Sequence, residues 1–171
     1  PHDGFALFRQ SGLGLLRIPV ERGGLGGSLV DLFEVIASIA AEESNVAHAL
    51  RIHFDQTESL RLSPRSACND LQVQRIVGGA IFGGASTERG TARPGEITTA
   101  LRRDGAHYRV SGKKYYSTGT AFADYARINV QDPDAEPVFI IIPTDRPGFS
   151  VIDDWDGMGQ RMTASGSLVL D

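Results

Sequence analysis

The spacing of apolar side chains divides the chain into a helical first part and a strand-rich second part. Before residue 80, apolar residues recur three and four positions apart in three successive stretches, which is typical of amphipathic helices. Each stretch follows a polar residue suited to a helix N-cap: Ser28, Asn45 and Ser66. Pro64 ends the second stretch and Gly78 the third. We therefore predict a small helical bundle as an N-terminal domain over residues 1–80.

Short β-rich runs, separated by Gly, Pro, Asp and Asn, follow from residue 81 onward. We predict strands at 97–101, 107–110, 114–117, 125–130, 138–142 and 149–152. Asp104-Gly105 indicates one tight hairpin, and residues 110–113 indicate a second. Helices do not alternate with these runs, which argues against a Rossmann-type sheet. The predicted class is α+β, with the helical bundle followed by an antiparallel β-sandwich or barrel domain over 81–171.

Composition and charge narrow the class of protein without identifying it. The chain has 171 residues, of which 41% are hydrophobic and 22% charged, and its formal net charge is −4. These values suit a soluble globular protein and exclude a strongly basic nucleic-acid-binding surface. No apolar run approaches the roughly 18 residues of a membrane span, and the first residues lack a signal-peptide pattern. We expect a cytoplasmic protein with neither nucleic acid nor a membrane as partner.

Several conspicuous residues have simple structural explanations. The glycines of 23–27 precede a helix but lack the lysine and hydroxyl of a phosphate loop, so we interpret them as a turn. Cys68, the single cysteine, is expected to be a small buried residue. His48 and His53 are five positions apart, which argues against a shared metal site on one helix face. Two readings of His53 stay open: a hydrogen-bonded interface residue, or a proton donor at a ligand pocket.

Three segments of the second part combine small residues, hydroxyls and aromatic rings. They are residues 83–90, 112–119 and 153–166. Small residues let a flat ligand approach the backbone, and hydroxyls bond the heteroatoms at the edge of a planar ring. An aromatic side chain can cover the face of the same ring. Together the three segments offer what a bound isoalloxazine ring requires.

The same region carries a resemblance to a known family. Residues 17–26, 85–88 and 112–119 read RIPVERGGLG, ASTE and GKKYYSTG. In this order and at these spacings they resemble three motifs of the acyl-CoA dehydrogenase superfamily: Val-Pro-Glu-x-x-Gly-Gly-x-Gly, Thr-Glu, and the flavin-facing Gly-x-Lys-x-Trp-Ile-Thr-Asn. The resemblance implies that family's N-terminal helical domain and middle β domain, with a flavin, FMN or FAD, as cofactor.

The resemblance also implies which residues hold the flavin. The implied cofactor-binding residues are Ala85, Ser86, Thr87, Tyr116, Ser117 and Thr118. Ser86 and Thr87 match the part of the motif that bonds the pyrimidine side of the ring, and the last three match the part near N5 and O4. Tyr116 stands where the dehydrogenases commonly carry tryptophan. Residues 92–94 read ARP instead of the family's Gly-Ser-Asp, a departure from its thioester-binding pattern.

One branch of the superfamily fits the details better. Residues 153–165 (DDWDGMGQRMTAS), 82–85 (FGGA) and 115–119 (YYSTG) are similar to the dibenzothiophene monooxygenase and sulfur-acquisition oxidoreductase group. This similarity implies reduced flavin from a separate flavin reductase, with oxygen transfer to a small organosulfur or related substrate. It further implies catalytic roles beside the flavin for His53 as a proton source and Thr118 as a hydrogen-bonding group, with no metal.

Two alternatives stay open at this point. The first is an FAD-dependent acyl-CoA dehydrogenase acting on the CH–CH bond of a thioester, and the second is a non-catalytic interaction module. Family members continue into a C-terminal helical bundle, and residues 167–171 look like the start of a strand without a closing turn. We therefore expect this sequence to be part of a longer, homo-oligomeric enzyme that binds flavin weakly or not at all as a fragment.

Overall fold

The structure, a computed structural model, describes residues 2–93, 95–134 and 136–171. Within those residues, three α-helices precede seven β-strands. The helices are α1 (His2–Ser11), α2 (Leu29–Leu62) and α3 (Ala67–Val77). The strands are β1 (Phe82–Ala85), β2 (Ala100–Asp104), β3 (His107–Lys114), β4 (Tyr125–Val130), β5 (Val138–Pro143), β6 (Phe149–Ile152) and β7 (Ser167–Leu170). None of the helices in the described part of the chain has the length and apolar character that a bilayer crossing requires.

Helix α2 spans two of the predicted helices, which meet at a kink. Its start agrees with the sequence, because Ser28 Oγ accepts from the Asp31 amide at 3.2 Å and the Asp31 carboxylate accepts from the Ser28 amide at 2.6 Å. The break between helices that is expected at Asn45 is present, but Glu43 supplies the cap: its carboxylate accepts from the Asn45 amide at 2.9 Å. The break is confined to Glu43, whose φ is −148° and ψ is 92°, and the helix continues beyond it. Helix α2 therefore consists of two helical segments that meet at a bend at Glu43.

The strands form two small sheets. One has the order β1-β4-β5, in which β1 runs parallel to β4 and β4 antiparallel to β5. The other has the order β2-β3-β7-β6, with antiparallel pairs throughout. Ile128 of the first sheet and Leu168 of the second belong to one apolar core. The α+β class, with a helical part followed by an antiparallel-rich β part, is confirmed.

One of the two expected hairpins is absent from the described chain. The Asp104-Gly105 hairpin joins β2 to β3 as predicted. The turn expected at 110–113 and the separate strand expected at 114–117 are wrong, because β3 runs straight through to Lys114 and pairs with β7. A Cβ on Gly112 would lie 2.8 Å from the Cα of Thr99. Glycine at this position therefore permits close packing of the backbone and does not mark a turn.

Two other sequence interpretations have opposite outcomes. The glycines of 23–27 form a turn, as predicted, in which the Gly24 amide donates to the Pro19 carbonyl at 3.1 Å. Cys68 is exposed, which corrects the expectation of a buried thiol. It lies in the first turn of α3, whereas the buried residues of that helix begin later, at Gln72.

The helices pack directly against the first sheet. Leu50 of α2 and Ala123 belong to one apolar cluster, and Ile76 of α3 and Phe82 of β1 belong to another. Because both clusters mix residues from before and after position 80, the two parts share their cores. The division into separate domains at residues 1–80 and 81–171 stays a prediction.

Candidate functional site

Two of the segments singled out in the sequence lie side by side. Thr87 forms an isolated antiparallel bridge with Tyr115, whose amide donates to the Thr87 carbonyl at 2.8 Å. Ala85, at the end of β1, is buried, whereas Ser86 and Thr87 are exposed. Tyr116 on the adjoining segment is 49% exposed. The bridge therefore places exposed hydroxyls and an exposed aromatic ring on neighbouring strands.

A buried ion pair fastens these two segments together. Lys114 Nζ lies 2.5 Å from Glu88 Oε1, and the side chains are 0% and 3% exposed. The Glu88 carboxylate also accepts from the backbone amides of Thr98 and Thr99, at 2.7 and 3.0 Å. Burial alone raises the pKa of Glu88, but the hydrogen bonds from Lys114, Thr98 and Thr99 outweigh it and lower that pKa to about 2. Glu88 is thus a fully partnered anion that fixes residues 87 and 115 relative to each other.

Three buried hydroxyls form a connected cluster at the end of the 115–118 segment. Thr118 Oγ1 lies 2.8 Å from Ser165 Oγ, which lies 2.6 Å from Thr163 Oγ1. Thr163 Oγ1 donates to the Gln160 carbonyl at 2.8 Å. The Gly119 amide donates to the Thr163 carbonyl at 2.9 Å, so backbone contacts support the side-chain contacts. This hydroxyl cluster, Thr118–Ser165–Thr163, joins the second and third segments.

Backbone strain gathers around the hydroxyl cluster. Among the described residues, the non-glycine positions with positive φ are Tyr116, Gln160 and Ala164, at 59°, 52° and 50°. All three belong to the segments that supply the cluster. Such conformations cost about 1–3 kcal/mol each and persist where the surrounding structure determines them, often at functional sites. Their concentration here supports this region as the functional site.

Two aromatic rings and one amide line the same region. The Tyr116 and Trp155 rings meet edge to face, with centroids 6.1 Å apart. Trp155 Nε1 donates to the Gln160 carbonyl at 3.0 Å, and Gln160 Nε2 donates to Ser44 of α2 at 3.2 Å. Gln160 Oε1 is buried without a hydrogen-bond partner. A buried acceptor of this kind can receive a bond from a ligand donor.

Helix α2 closes one side of the region. A Cβ on Gly119, whose φ is +74°, would lie 2.5 Å from the Ala49 carbonyl oxygen, so only glycine fits against the helix. The Met162 amide donates to Asn45 Oδ1 at 3.3 Å. His48 is exposed on the same stretch of α2, and desolvation together with nearby Arg51 lowers its pKa. The stretch 44–49 of α2 therefore faces the hydroxyl cluster and its loop.

His53 takes a different place, in the interface between α2 and β1. It is 1% exposed, with Nε2 3.0 Å from the Gly14 carbonyl, and the Phe82 amide donates to Nδ1 at 3.2 Å. Since Nδ1 accepts, the ring proton is on Nε2 and is donated to Gly14. Burial lowers the pKa of His53 to about 4, despite the opposing effect of the bond to Gly14. The ring is therefore neutral at pH 7, and backbone groups occupy both of its nitrogens.

The structure thus brings together most of the residues singled out in the sequence. Ser86, Thr87 and Tyr116 are accessible, and Thr118 is at the edge of the cluster. Ser117 is fully buried and its hydroxyl donates to the Gly166 carbonyl at 2.8 Å, so its proton is already used. His53 lies outside this group, because both of its ring nitrogens form hydrogen bonds to backbone groups that do not belong to the cluster. Among the described residues, no group of His, Cys, Asp and Glu side chains is arranged to hold a metal ion.

Sequence reasoning missed the contribution of α2 to this region. Ser44, Asn45 and Gln160 connect the helix to the 153–166 segment, at sequence separations above 100 residues. The sequence pattern indicates only a local helix cap at Asn45. Only the position of α2 against the strands shows that its side chain bonds a distant amide.

The fold and the site together define a class of protein. An α+β chain, in which helices pack on one of two small sheets and hydroxyls and aromatic rings meet beside helix α2, is arranged to hold a flat polar ligand. Residues 84–171 match the family described as acyl-CoA dehydrogenase, middle domain. The chain belongs to this family.

Known relatives cover the chain almost completely. It is 31% identical to the amino sugar nitrososynthase DnmZ of Streptomyces peucetius over 98% of this chain and 43% of the relative. It is 29% identical to the probable FMNH2-dependent monooxygenase SfnC of Pseudomonas putida over 95% of this chain and 40% of the relative. The FMN-bound structure of TdsC from Paenibacillus sp. A11-2 superposes with a TM-score of 0.87 at 30% identity, over 98% of this chain and 43% of TdsC. The chain spans about two fifths of the length of the curated relatives it matches.

Proposed function

We propose that this chain is the flavin-binding part of a monooxygenase that uses reduced FMN and O2 to oxygenate a small organosulfur or related substrate. The observation that carries the proposal is the Thr118–Ser165–Thr163 hydroxyl cluster at the end of the 115–118 segment, which Tyr115 bridges to Thr87, in a chain that superposes on FMN-bound TdsC along nearly its whole length. A crystal structure of TdsC is described as a dibenzothiophene monooxygenase.

The residues present fit a flavin. The hydroxyls of Ser86 and Thr87 are accessible and can bond the polar edge of the ring. Tyr116 is held in a strained conformation with its ring half exposed, which suits contact with a flat ligand. Gln160 offers a buried acceptor without a partner. These groups differ in kind, yet all lie on the three segments that the Thr87–Tyr115 bridge and the hydroxyl cluster connect to one another.

Each group has a role that its chemistry supports. When bound, the flavin would supply the electrons and the site at which oxygen is activated. Ser86 and Thr87 would bind its pyrimidine edge, and Tyr116 would orient the ring. Thr118 would hold a hydrogen bond near N5 and O4, as a proposed catalytic residue. His48, exposed on the stretch of α2 whose Asn45 side chain bonds the Met162 amide, is the proposed proton source in place of His53, whose two nitrogens are bonded to backbone groups.

A second candidate substrate is an amine nitrogen. The relative DnmZ is described as an amino sugar nitrososynthase, and KijD3, a neighbour of TM-score 0.85 and 27% identity, as a complex with FMN and an amino sugar nucleotide. Sulfur and amine nitrogen are both electron-rich heteroatoms, so one oxygenating site can serve either. The class proposed for this chain is therefore heteroatom oxygenation, with organosulfur compounds first and amino sugars second.

The wider setting follows from the same proposal. A protein that takes up reduced FMN requires a separate flavin reductase to supply it. We further propose that the intact protein is a cytoplasmic homo-oligomer.

The test uses the intact protein, reduced FMN and isotopically labelled O2. Dibenzothiophene, an alkyl sulfinate and an amino sugar nucleotide are offered in turn, and mass spectrometry measures the labelled oxygen in each product. Incorporation into a sulfur or nitrogen compound supports the proposal. Bleaching of bound oxidised flavin by an acyl-CoA without O2 would instead indicate the dehydrogenase. Failure to bind FMN in either redox state would refute a flavin function.

A matched pair of variants links the activity to the cluster. Thr118→Val keeps the shape of the side chain but removes its hydroxyl, and we expect the oxygenation rate to fall about 100-fold. Thr118→Ser keeps the hydroxyl and should retain most of the rate. Equal rates for the two variants would show that the hydroxyl is not part of the reaction.

A further inference from the structure

The hydrogen bonds of the hydroxyl cluster can run in only one direction. Each hydroxyl has a single proton. The Thr163 proton goes to the Gln160 carbonyl, which can only accept, at 2.8 Å. Thr163 must therefore accept from Ser165 at 2.6 Å, and Ser165, its proton thus used, must accept from Thr118 at 2.8 Å. The chain of donors runs from Thr118 through Ser165 and Thr163 to the backbone.

This direction determines what Thr118 can offer to a ligand. Its proton is directed into the protein, toward Ser165. The other acceptor within reach of that proton, the Tyr116 carbonyl, is 3.5 Å away and competes poorly. What remains on the outer side of the Thr118 oxygen is a lone pair. Thr118 is thus prepared to accept a hydrogen bond and not to donate one.

We infer that Ser165 and Thr163 are positioning residues that make the site selective for reduced over oxidised flavin. The inference rests on the proposed function, in which Thr118 faces N5 of the ring. Reduced flavin carries an N–H at N5, and oxidised flavin carries a lone pair there. A Thr118 oxygen held as an acceptor gains a bond from the reduced form and meets lone-pair repulsion from the oxidised form. Selectivity then comes from two residues that need not touch the flavin.

Thr163→Val is the most direct test, because it removes the acceptor at the inner end of the chain. Ser165 then loses its partner and can donate to Thr118, whose own proton becomes free for the ligand. The Gln160 carbonyl keeps the bond from Trp155 Nε1 at 3.0 Å, so the variant leaves no buried acceptor there without a partner. Thr163→Ser keeps the hydroxyl and is the matched control.

The measurement is the dissociation constant of FMN in each redox state, with the intact protein and under anaerobic conditions for the reduced form. We expect the ratio of oxidised to reduced dissociation constants to fall about tenfold in Thr163→Val, the equivalent of one hydrogen bond. The midpoint potential of bound FMN should fall by about 30 mV, the value of a tenfold change for a two-electron couple. Thr163→Ser should leave both values as in the wild type.

The possible results are distinguishable. An unchanged ratio in Thr163→Val, or an equal fall in Thr163→Ser, would overturn the inference while the proposed function stands. If the wild type binds neither form of FMN, the proposed function fails and the inference fails with it. If Thr163→Val does not fold, Ser165→Ala interrupts the same chain, and the same tenfold fall is expected.

Discussion

Lowering the pH from 7.5 to 4.5 is expected to weaken the contact between α2 and β1, because His53 must gain a proton that its site does not accommodate. In the folded protein Nδ1 already accepts the Phe82 amide, and Nε2–H already donates to Gly14. A proton on Nδ1 would face the N–H of Phe82 and break this bond. Arg9, a nearby cation, adds to the effect, and Asp124 opposes it.

The size of the effect follows from the pKa of His53 in the two states. Burial lowers it from the ordinary value of 6.5 to about 4 in the folded protein. The unfolded chain therefore binds the proton first as the pH falls, so the folded state loses stability below pH 6.5 and the loss is complete near pH 4. A difference of about 2.5 pKa units corresponds to about 3 kcal/mol of unfolding free energy. About half of that is lost at pH 5.5.

The assay is chemical denaturation of the intact protein across this pH range, combined with hydrogen exchange at the Phe82 amide. His53→Gln removes the titrating group and should be less stable than the wild type at pH 7.5 by about 1–3 kcal/mol, the cost of an unpartnered buried backbone group. The gap should close near pH 4.5, and exchange at Phe82 should accelerate in the wild type over the same interval. His48→Gln, on the exposed side of the same helix, is the comparison variant and should remove a smaller part of the pH dependence, because burial lowers the pKa of His48 less than that of His53.

A pH dependence in His53→Gln equal to that of the wild type would refute this reasoning. Glu88 contributes little to the change in stability between pH 6.5 and 4.5, because its pKa is lowered from 4.5 to about 2 in the folded protein. The folded state loses the contribution of Glu88 only below pH 4.5, since its protonation is favoured in the unfolded chain. The interval between pH 6.5 and 4.5 therefore reports on the two histidines with a lowered pKa, His53 and His48, and the His53→Gln variant isolates the contribution of His53.

Two further predictions concern residues that hold the site together. Lys114→Met should lower the unfolding free energy by about 3–5 kcal/mol, since it leaves the Glu88 carboxylate buried without its cation, whereas Lys113→Met on the exposed side should change it little. Gly119→Ala should lower the unfolding free energy by about 3 kcal/mol or more, because the new Cβ would clash with the α2 backbone at a residue of positive φ. Gly105→Ala, at φ +60° but in open space, should lower it by about 1 kcal/mol. Denaturant titration of the four variants measures both differences, and equal values within either pair would contradict the explanation given for it.

Much of the fold could be predicted because its signals are local. The Ser28 cap, the Asp104-Gly105 hairpin and the alternating strand at Tyr125–Val130 each depend on neighbouring residues, and each is confirmed. Strand β1 was not predicted, because FGGA has weak β-propensity and is held in place by parallel pairing with β4, more than 40 residues later. The turn predicted at 110–113 was wrong for a similar reason. Glycine is needed at position 112 because the backbone of Thr99 packs closely against it, and no local sequence pattern shows that contact.

The site was predicted only as far as its motifs reach. The sequence indicated Thr87 and Thr118, and the bridge between Thr87 and Tyr115 brings their segments together. It did not indicate that the Ser117 hydroxyl donates to the Gly166 carbonyl. Nor did it indicate that backbone groups form hydrogen bonds with the His53 ring on the apolar face of its helix. Burial and hydrogen-bond direction are properties of the assembled fold, so the residue types alone could not separate an available group from one already satisfied.

The bend in α2 shows how local irregularity serves the site. Glu43 leaves helical geometry, and its carboxylate accepts from the backbone and side-chain amides of Asn45, at 2.9 and 2.7 Å. With its N–H groups satisfied in this way, Asn45 turns its oxygen to the Met162 amide, while Ser44 bonds Gln160. A straight helix would direct both side chains differently. The bend therefore ties α2 to the loop whose carbonyl, at Gln160, anchors the inner end of the hydroxyl cluster and so fixes the direction in which Thr118 donates.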